Sequence, residues 1–146
     1  MLSFLRKKKG REEAPSLESQ KSSAWLADSL KDLAKAEKLL QEDPDLAAFL
    51  SWQAARKAFK ALEKKAGRRL SESSLEKLLA QFPEGQLAAK PVKDAARFLD
   101  HFRRLARHDD LFREVNLNLG PLGVEDARRV FEAARIIINF LEHRLK

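Results

Sequence analysis

The chain has 146 residues, a net charge of +7 and no cysteine, which fits one domain and excludes disulfides, thiolate metal sites and cysteine nucleophiles. A domain of this length buries about two-thirds of its unfolded surface, so it needs no metal or cross-link to fold. Hydrophobic residues make up 44% and charged residues 35%, with five Gly and five Pro, too few turn formers for a many-stranded fold and a composition that favours helix.

The first 21 residues read as a basic, disordered tail and linker, with Gly10, Pro15 and several Ser and Glu. Residues 1–11 hold Arg6, Lys7, Lys8, Lys9 and Arg11 and no acid, leaving 24 basic and 22 acidic residues, a net of +2, for the remainder. The high isoelectric point therefore describes the tail more than the domain surface. Met1-Leu2-Ser3-Phe4-Leu5 precedes the cations, the reverse of a secretory signal. A solvated arm is one reading of this segment, and a weak tether to acidic lipid or nucleic acid is the other. No apolar run approaches the ~20 residues of a membrane span, which fits a cytoplasmic protein.

A first helix is expected from Ser22 or Ser23 as N-cap, with Leu26, Leu30, Leu33 and Leu40 on one stripe and only Glu37 breaking it. Asp43-Pro44 stops that helix and starts a second, because Asp caps and Pro suits the first helical position. The second helix runs from about Asp45 to Lys65 and ends at Gly67. Its apolar stripe is Trp52, Ala55, Phe59, Leu62 and Ala66, while Gln53, Lys57, Lys60 and Lys64 line another face. A short third helix is expected over about Ser74–Phe82, with Ser73 as cap and Glu76 reaching back in a capping box.

A fourth helix should run from about Pro91 to Arg107 and bury Val92, Ala95, either Phe98 or Leu99, Phe102 and Leu105. Residues 109–123 form a longer connection, the length at which ordered loops are often functional. The last helix, about Glu125–Leu145, has Ala127, Val130, Phe131, Ala134, Ile137, Ile138, Leu141 and Leu145 inside. Glu125 and Asp126 open it and His143, Arg144 and Lys146 close it, as the helix dipole favours. The whole is an all-α, mostly antiparallel bundle of about five helices over residues 22–146.

Few residues could carry chemistry. The sequence has no Gly-rich phosphate loop and no metal-ligand spacing, so no cofactor is implied. On the fourth helix His101, Arg104 and His108 each fall within about 40° of Arg97, roughly 100° from the apolar stripe. Such a face packs in a bundle and still presents cations to a phosphate: Arg as a fork of donors, His as a proton carrier near neutral pH. Asp109-Asp110 reads as a solvated pair, and His143 as a surface residue matched to its helix end.

Three stretches of the chain resemble the HEPN family. Trp25 to Glu37 looks like its opening helix. Trp52-Gln53-Ala54-Ala55-Arg56-Lys57-Ala58-Phe59-Lys60-Ala61 is similar to its second, where Gln-Ala-Ala-Glu-Lys-Ala-Leu-Lys-Ala is typical. Gly123 to Leu145 resembles its last. Gln53, Lys57 and Lys60 match the second-helix polar positions, whereas Arg56 stands where Glu is usual and Ser73 replaces a His. Arg107-His108-Asp109-Asp110 is similar to the Arg-Tyr-Pro-Asp segment of a non-nuclease branch, with Arg107 and Asp110 matching.

The resemblance implies a five-helix bundle that forms a homodimer and partners a minimal nucleotidyltransferase, commonly as a toxin–antitoxin pair. Its expected ligand is a nucleotide or RNA, bound through Arg97, His101, Arg104, Arg107, Asp110, Gln53, Lys57 and Lys60. A second expectation is a metal-independent RNase, because Arg103 and His108 satisfy the Arg-x4-His spacing of the nuclease branch. On an unbroken helix those two side chains would point about 140° apart. A third is a scaffold that binds a partner and uses the basic tail as an electrostatic handle.

Overall fold

The computed structural model describes residues 17–67, 74–82, 88–107 and 123–145. Five helices and no strand occur among them: α1 (Leu17–Leu39), α2 (Pro44–Ala66), α3 (Leu75–Ala80), α4 (Lys90–Arg107) and α5 (Val124–Leu145). The expected tail falls on undescribed residues only up to position 16, because residues 17–21 already belong to α1. Ser22 is therefore not a cap. It is buried inside the helix, and its hydroxyl donates to the Ala61 carbonyl of α2 at 2.9 Å.

That bond and its neighbours explain how α1 and α2 pair. Ser29 donates to the Ala54 carbonyl at 2.7 Å, and Asp32 receives Gln53 at 3.1 Å, so the two helices run antiparallel. A hydroxyl that reaches a carbonyl on the next helix needs closely spaced backbones. The interface supplies the room with Ser29, Ala36, Ala47, Ala54, Ala58 and Ala61, all fully buried. The inward face of α1 is thus a small and polar one. Leu30, expected inside, is 37% exposed, and Glu37 faces solvent. Leu33 and Leu40 of the expected stripe do pack on the core, so leucine spacing marked one edge of the buried face and missed its centre, where close approach selects small side chains rather than large.

The ends of α2 follow their local chemistry. The Leu46 N–H donates to Asp43 Oδ1 at 3.2 Å, Pro44 takes the first helical position, and Gly67 closes the helix at φ +67° in the left-handed region. α2 lies between α1 and α5, so it is buried on two sides, and Ala48, Ala55 and Phe59 join the main core. Ala66, placed on its apolar stripe by periodicity, is exposed at the last turn. Every residue named for the inside of α5 is buried except Leu145, which is half-buried. Lys65 Nζ donates to the carbonyls of Arg144 at 3.4 Å and Leu145 at 2.9 Å, so α2 and α5 end side by side, with a cation on the negative end of the α5 dipole.

The short α3 departs from the expected capping box. Its N-cap is Ser74, whose hydroxyl accepts from the Lys77 N–H at 3.3 Å; Ser73 lies outside the described residues. With the cap one residue later, Lys77 and not Glu76 occupies the reciprocal position, and Glu76 turns to α4 instead. On α4 the open choice between Phe98 and Leu99 resolves to Leu99, fully buried, while Phe98 is 37% exposed. The expected 109–123 connection lies outside the described residues except Gly123, as does the side chain of Leu105.

Candidate nucleic-acid interface

α4 owes its two faces to composition. Val92, Ala95, Ala96, Leu99 and Phe102 are buried against α3 and α5, while Lys90, Lys93, Arg97, His101 and Arg104 are exposed. Arg97, His101 and Arg104 therefore share one solvent-facing strip, as their spacing predicts.

The strip has two unlike halves. Arg97 sits among carboxylates: Nη2 is 2.9 Å and Nε 3.3 Å from Glu76 Oε2, and Nη1 is 3.5 Å from Asp94 Oδ1. Asp94 in turn accepts from Lys90 Nζ at 2.8 Å. The bond to Glu76 and the charge of that carboxylate raise the Arg97 pKa above its already high ordinary value. The hydrogen bond from Lys90 lowers the Asp94 carboxyl below its ordinary value; desolvation opposes it, and the Lys90 and Arg97 charges add to the lowering. His101 and Arg104, one and two turns on, have no hydrogen bond or ion pair among the described residues. Their donors face water and are free to meet an anion.

Asp100 sets this geometry, and sequence reading passed it over. It is 8% exposed and points at the start of α3. There its carboxylate accepts from Ser74 Oγ at 2.8 Å, the Leu75 N–H at 2.7 Å and the Glu76 N–H at 3.1 Å. Three donors satisfy the charge and fix the first turn of α3, which carries Glu76 to Arg97. The available signal was an acid lying next to Leu99 on the buried side of an amphipathic helix.

The remaining expected site residues are elsewhere. Gln53 Nε2 and Lys57 Nζ both reach Asp32 Oδ2, at 3.1 Å and 2.8 Å, and Lys60 pairs with the buried Glu63 at 3.1 Å. These three face α1 and their own helix and do not join the α4 strip. Arg103 holds its guanidinium 5.0 Å from the centre of the Trp52 ring, a cation–π arrangement linking α4 to α2. Arg107 ends α4, with only its backbone described; His108 and Asp110 lie outside the described residues. The structure thus brings Arg97, His101 and Arg104 together and leaves Gln53, Lys57, Lys60 and Arg103 apart.

Ala95 and Phe98 of α4 and Ala133 and Ile136 of α5 line a groove of about 540 Å³, with Arg128 and Arg129 balanced by Glu125 and Glu132 on the α5 side and Asp94 on the α4 side. Among the described residues no cluster of His, Asp or Glu could hold a metal ion. No described helix is long and apolar enough to cross a membrane.

Comparison with known proteins agrees with this architecture. A search of curated proteins gives no match. The crystal structure of TT1696 from Thermus thermophilus superposes with a TM-score of 0.67 at 26% identity, over 85% of this chain and 98% of that one. The HEPN domain model matches residues 22–144, spanning all of α2 to α4, most of α1 and nearly all of α5. The chain belongs to the HEPN domain family.

Proposed function

We infer that this HEPN domain is a non-catalytic module that dimerises and binds a nucleotide or RNA, and that it partners a minimal nucleotidyltransferase in a toxin–antitoxin-like pair. The observation that carries the ligand reading is the exposed strip of Arg97, His101 and Arg104 on α4, with His101 and Arg104 unpaired among the described residues. Cations on a rigid helix suit phosphate oxygens, since little side-chain order beyond their own is lost on binding. Arg107 and Asp110 are assigned to the same ligand by the likeness of Arg107-His108-Asp109-Asp110 to the family's Arg-Tyr-Pro-Asp segment. Family membership supports the dimer and the partner.

The nuclease alternative needs Arg103 to meet a scissile phosphate, whereas Arg103 lies over Trp52. This favours the non-catalytic reading. The test is titration of ATP and a labelled 12-nucleotide single-stranded RNA between 50 and 200 mM salt. Wild type should bind, and Arg104→Ala should lower the salt slope by about 1. No binding by wild type, or unchanged binding after Arg97 and Arg104 are both replaced by Ala, removes the ligand reading. Incubation with RNA in EDTA should leave it intact; cleavage abolished by His108→Ala would establish the nuclease instead. Sedimentation velocity checks the dimer, and co-purification with a co-expressed nucleotidyltransferase checks the partner.

A further inference from the structure

Trp52 and Arg103 make a contact that the α4 strip does not use. α2 and α4 both pack on α5, but their own backbones scarcely meet, so two long side chains are needed to cross between them. Arg103 does so with its guanidinium 5.0 Å from the centre of the Trp52 ring. Trp52 is half-buried and packs on the core. Phe49, three residues earlier, lies beside it with 6.3 Å between ring centres and a tilt of 34°. The ring is therefore held from below and from one side. Arg103 is exposed and makes no ion pair among the described residues.

This arrangement is poorly suited to locking two helices. Exposed cation–π pairs add little to stability, and the acid nearest Arg103 on α4 is engaged elsewhere: Asp100 is buried and takes its donors from the start of α3. The contact instead fixes a planar cation over an indole, with its outer side toward solvent. Further cations stand around it. Arg56 follows Trp52 by four residues, so the two lie within about 40° of each other on α2. It is half-buried, with no ion pair among the described residues. Arg104, next to Arg103 on α4, is exposed and equally unpaired. An aromatic ring set among cations without counter-ions matches a surface for single-stranded nucleic acid, where bases stack on ring and guanidinium planes and cations track phosphate.

We propose that Arg103, seated on Trp52, stacks an unpaired nucleobase, with Arg104 and Arg56 holding the phosphates on either side of it. This rests on the ligand reading above and names the part of the ligand that the α4 strip leaves unread. A base and its 5′-phosphate are one ribose apart, and residues 103 and 104 are adjacent on one helix, so a single nucleotide can meet both. A duplex has its base faces covered and cannot use the seat. Every base has a stacking face, so the seat favours single strands without favouring a sequence.

The test is titration of the full chain at 100 mM salt with a labelled 12-nucleotide single-stranded RNA, with the same backbone carrying abasic sites throughout, and with a duplex of equal length. Wild type should bind the base-bearing strand tighter than the abasic one by about fivefold or more, and tighter than the duplex. Arg103→Lys keeps the charge and removes the plane. It should bring the base-bearing strand down to the abasic affinity, with abasic binding and the salt slope unchanged. Trp52→Leu should act in the same direction. Because Trp52 packs on the core, that variant could lose its fold, and Arg103→Lys at the surface then carries the test. Equal wild-type affinity for base-bearing and abasic strands overturns the proposal, as does full discrimination by Arg103→Lys or by folded Trp52→Leu. AMP against ribose 5-phosphate separates a free nucleotide from RNA: a preference for AMP that Arg103→Lys abolishes, without RNA binding, assigns the seat to a nucleotide. If wild type binds neither RNA nor AMP, the ligand reading falls as well. Binding of both strands alike, lost when Arg97 and Arg104 are replaced by Ala, leaves that reading standing and removes the base seat alone.

Discussion

Lys57 on α2 and Arg104 on α4 are both cations at polar positions of amphipathic helices, yet their surroundings are opposite. Lys57 is half-buried and lies 2.8 Å from Asp32 of α1, with Gln53 on the same oxygen. Arg104 faces solvent with no counter-ion among the described residues. The difference comes from the neighbouring helix. Small residues let α1 come close enough to α2 for its acid to meet the α2 cation, whereas no described helix covers the outer face of α4. A polar stripe next to an apolar one is therefore an ambiguous sign. It becomes an interhelical lock where a second helix closes over it and a docking surface where none does.

The comparison breaks most visibly at the lock. Asp32→Ala leaves Lys57 and Gln53 half-buried without their acceptor, and it should destabilise the fold by about 2 kcal/mol in urea titration. Lys57→Met keeps the Asp32–Gln53 bond and an aliphatic stem, so it should cost about half as much. If both variants unfold at the wild-type urea midpoint, Asp32 is no lock and Lys57 is as available as Arg104. Asp100→Ala comes next. It strips three donors at the start of α3 of their acceptor and should cost about 1–2 kcal/mol. It should also release Glu76 from its position, so a rise in RNA affinity together with lower stability would show that α3 holds Arg97 back.

How far the sequence reveals this follows from the same contrast. Caps and stops are local chemistry, so Asp43-Pro44 and Gly67 were legible. Large apolar side chains at helical spacing mark a core, so the interior of α5 was legible too. α1 was legible only in part: Leu33 of its leucine stripe packs on the core, but the fully turned-in face is Ser22, Ser29, Asp32 and Ala36, residues suited to close approach and to hydrogen bonds with a partner that sequence does not display. The α3 cap moved by one residue for a similar reason. Ser73 and Ser74 are both competent, and the Asp100 carboxylate, 26 residues from Ser74, selects the second. The exposed strip of α4 followed from spacing alone, but the ion pairs on Arg97 did not, since Glu76 arrives from another helix.

The smallest expected effect sharpens the comparison within α4 itself. Arg97 and Arg104 lie on one strip, but among the described residues Arg97 is paired and Arg104 is not, so Glu76→Gln should bring Arg97 toward the condition of Arg104. The pair is exposed, and exposed pairs add little to stability, so the urea midpoint should not move. RNA affinity should rise two- to threefold, and the rise should vanish in an Arg97→Ala background. Glu37→Gln, on the exposed side of α1, makes the same change in net charge away from Arg97 and should raise affinity less. Acid should act on the neighbouring contact in the same direction. The Asp94 carboxyl is held below its ordinary value of 3.8, so its contribution to stability is complete above that value and is lost as pH falls through the lower folded one. Between pH 5 and 8 Asp94 therefore stays ionised, and any change in RNA binding over that range must come from groups other than the Asp94–Arg97 pair. An Asp94→Asn variant that alters the shape of the binding profile between pH 5 and 8 would contradict this placement of the charge.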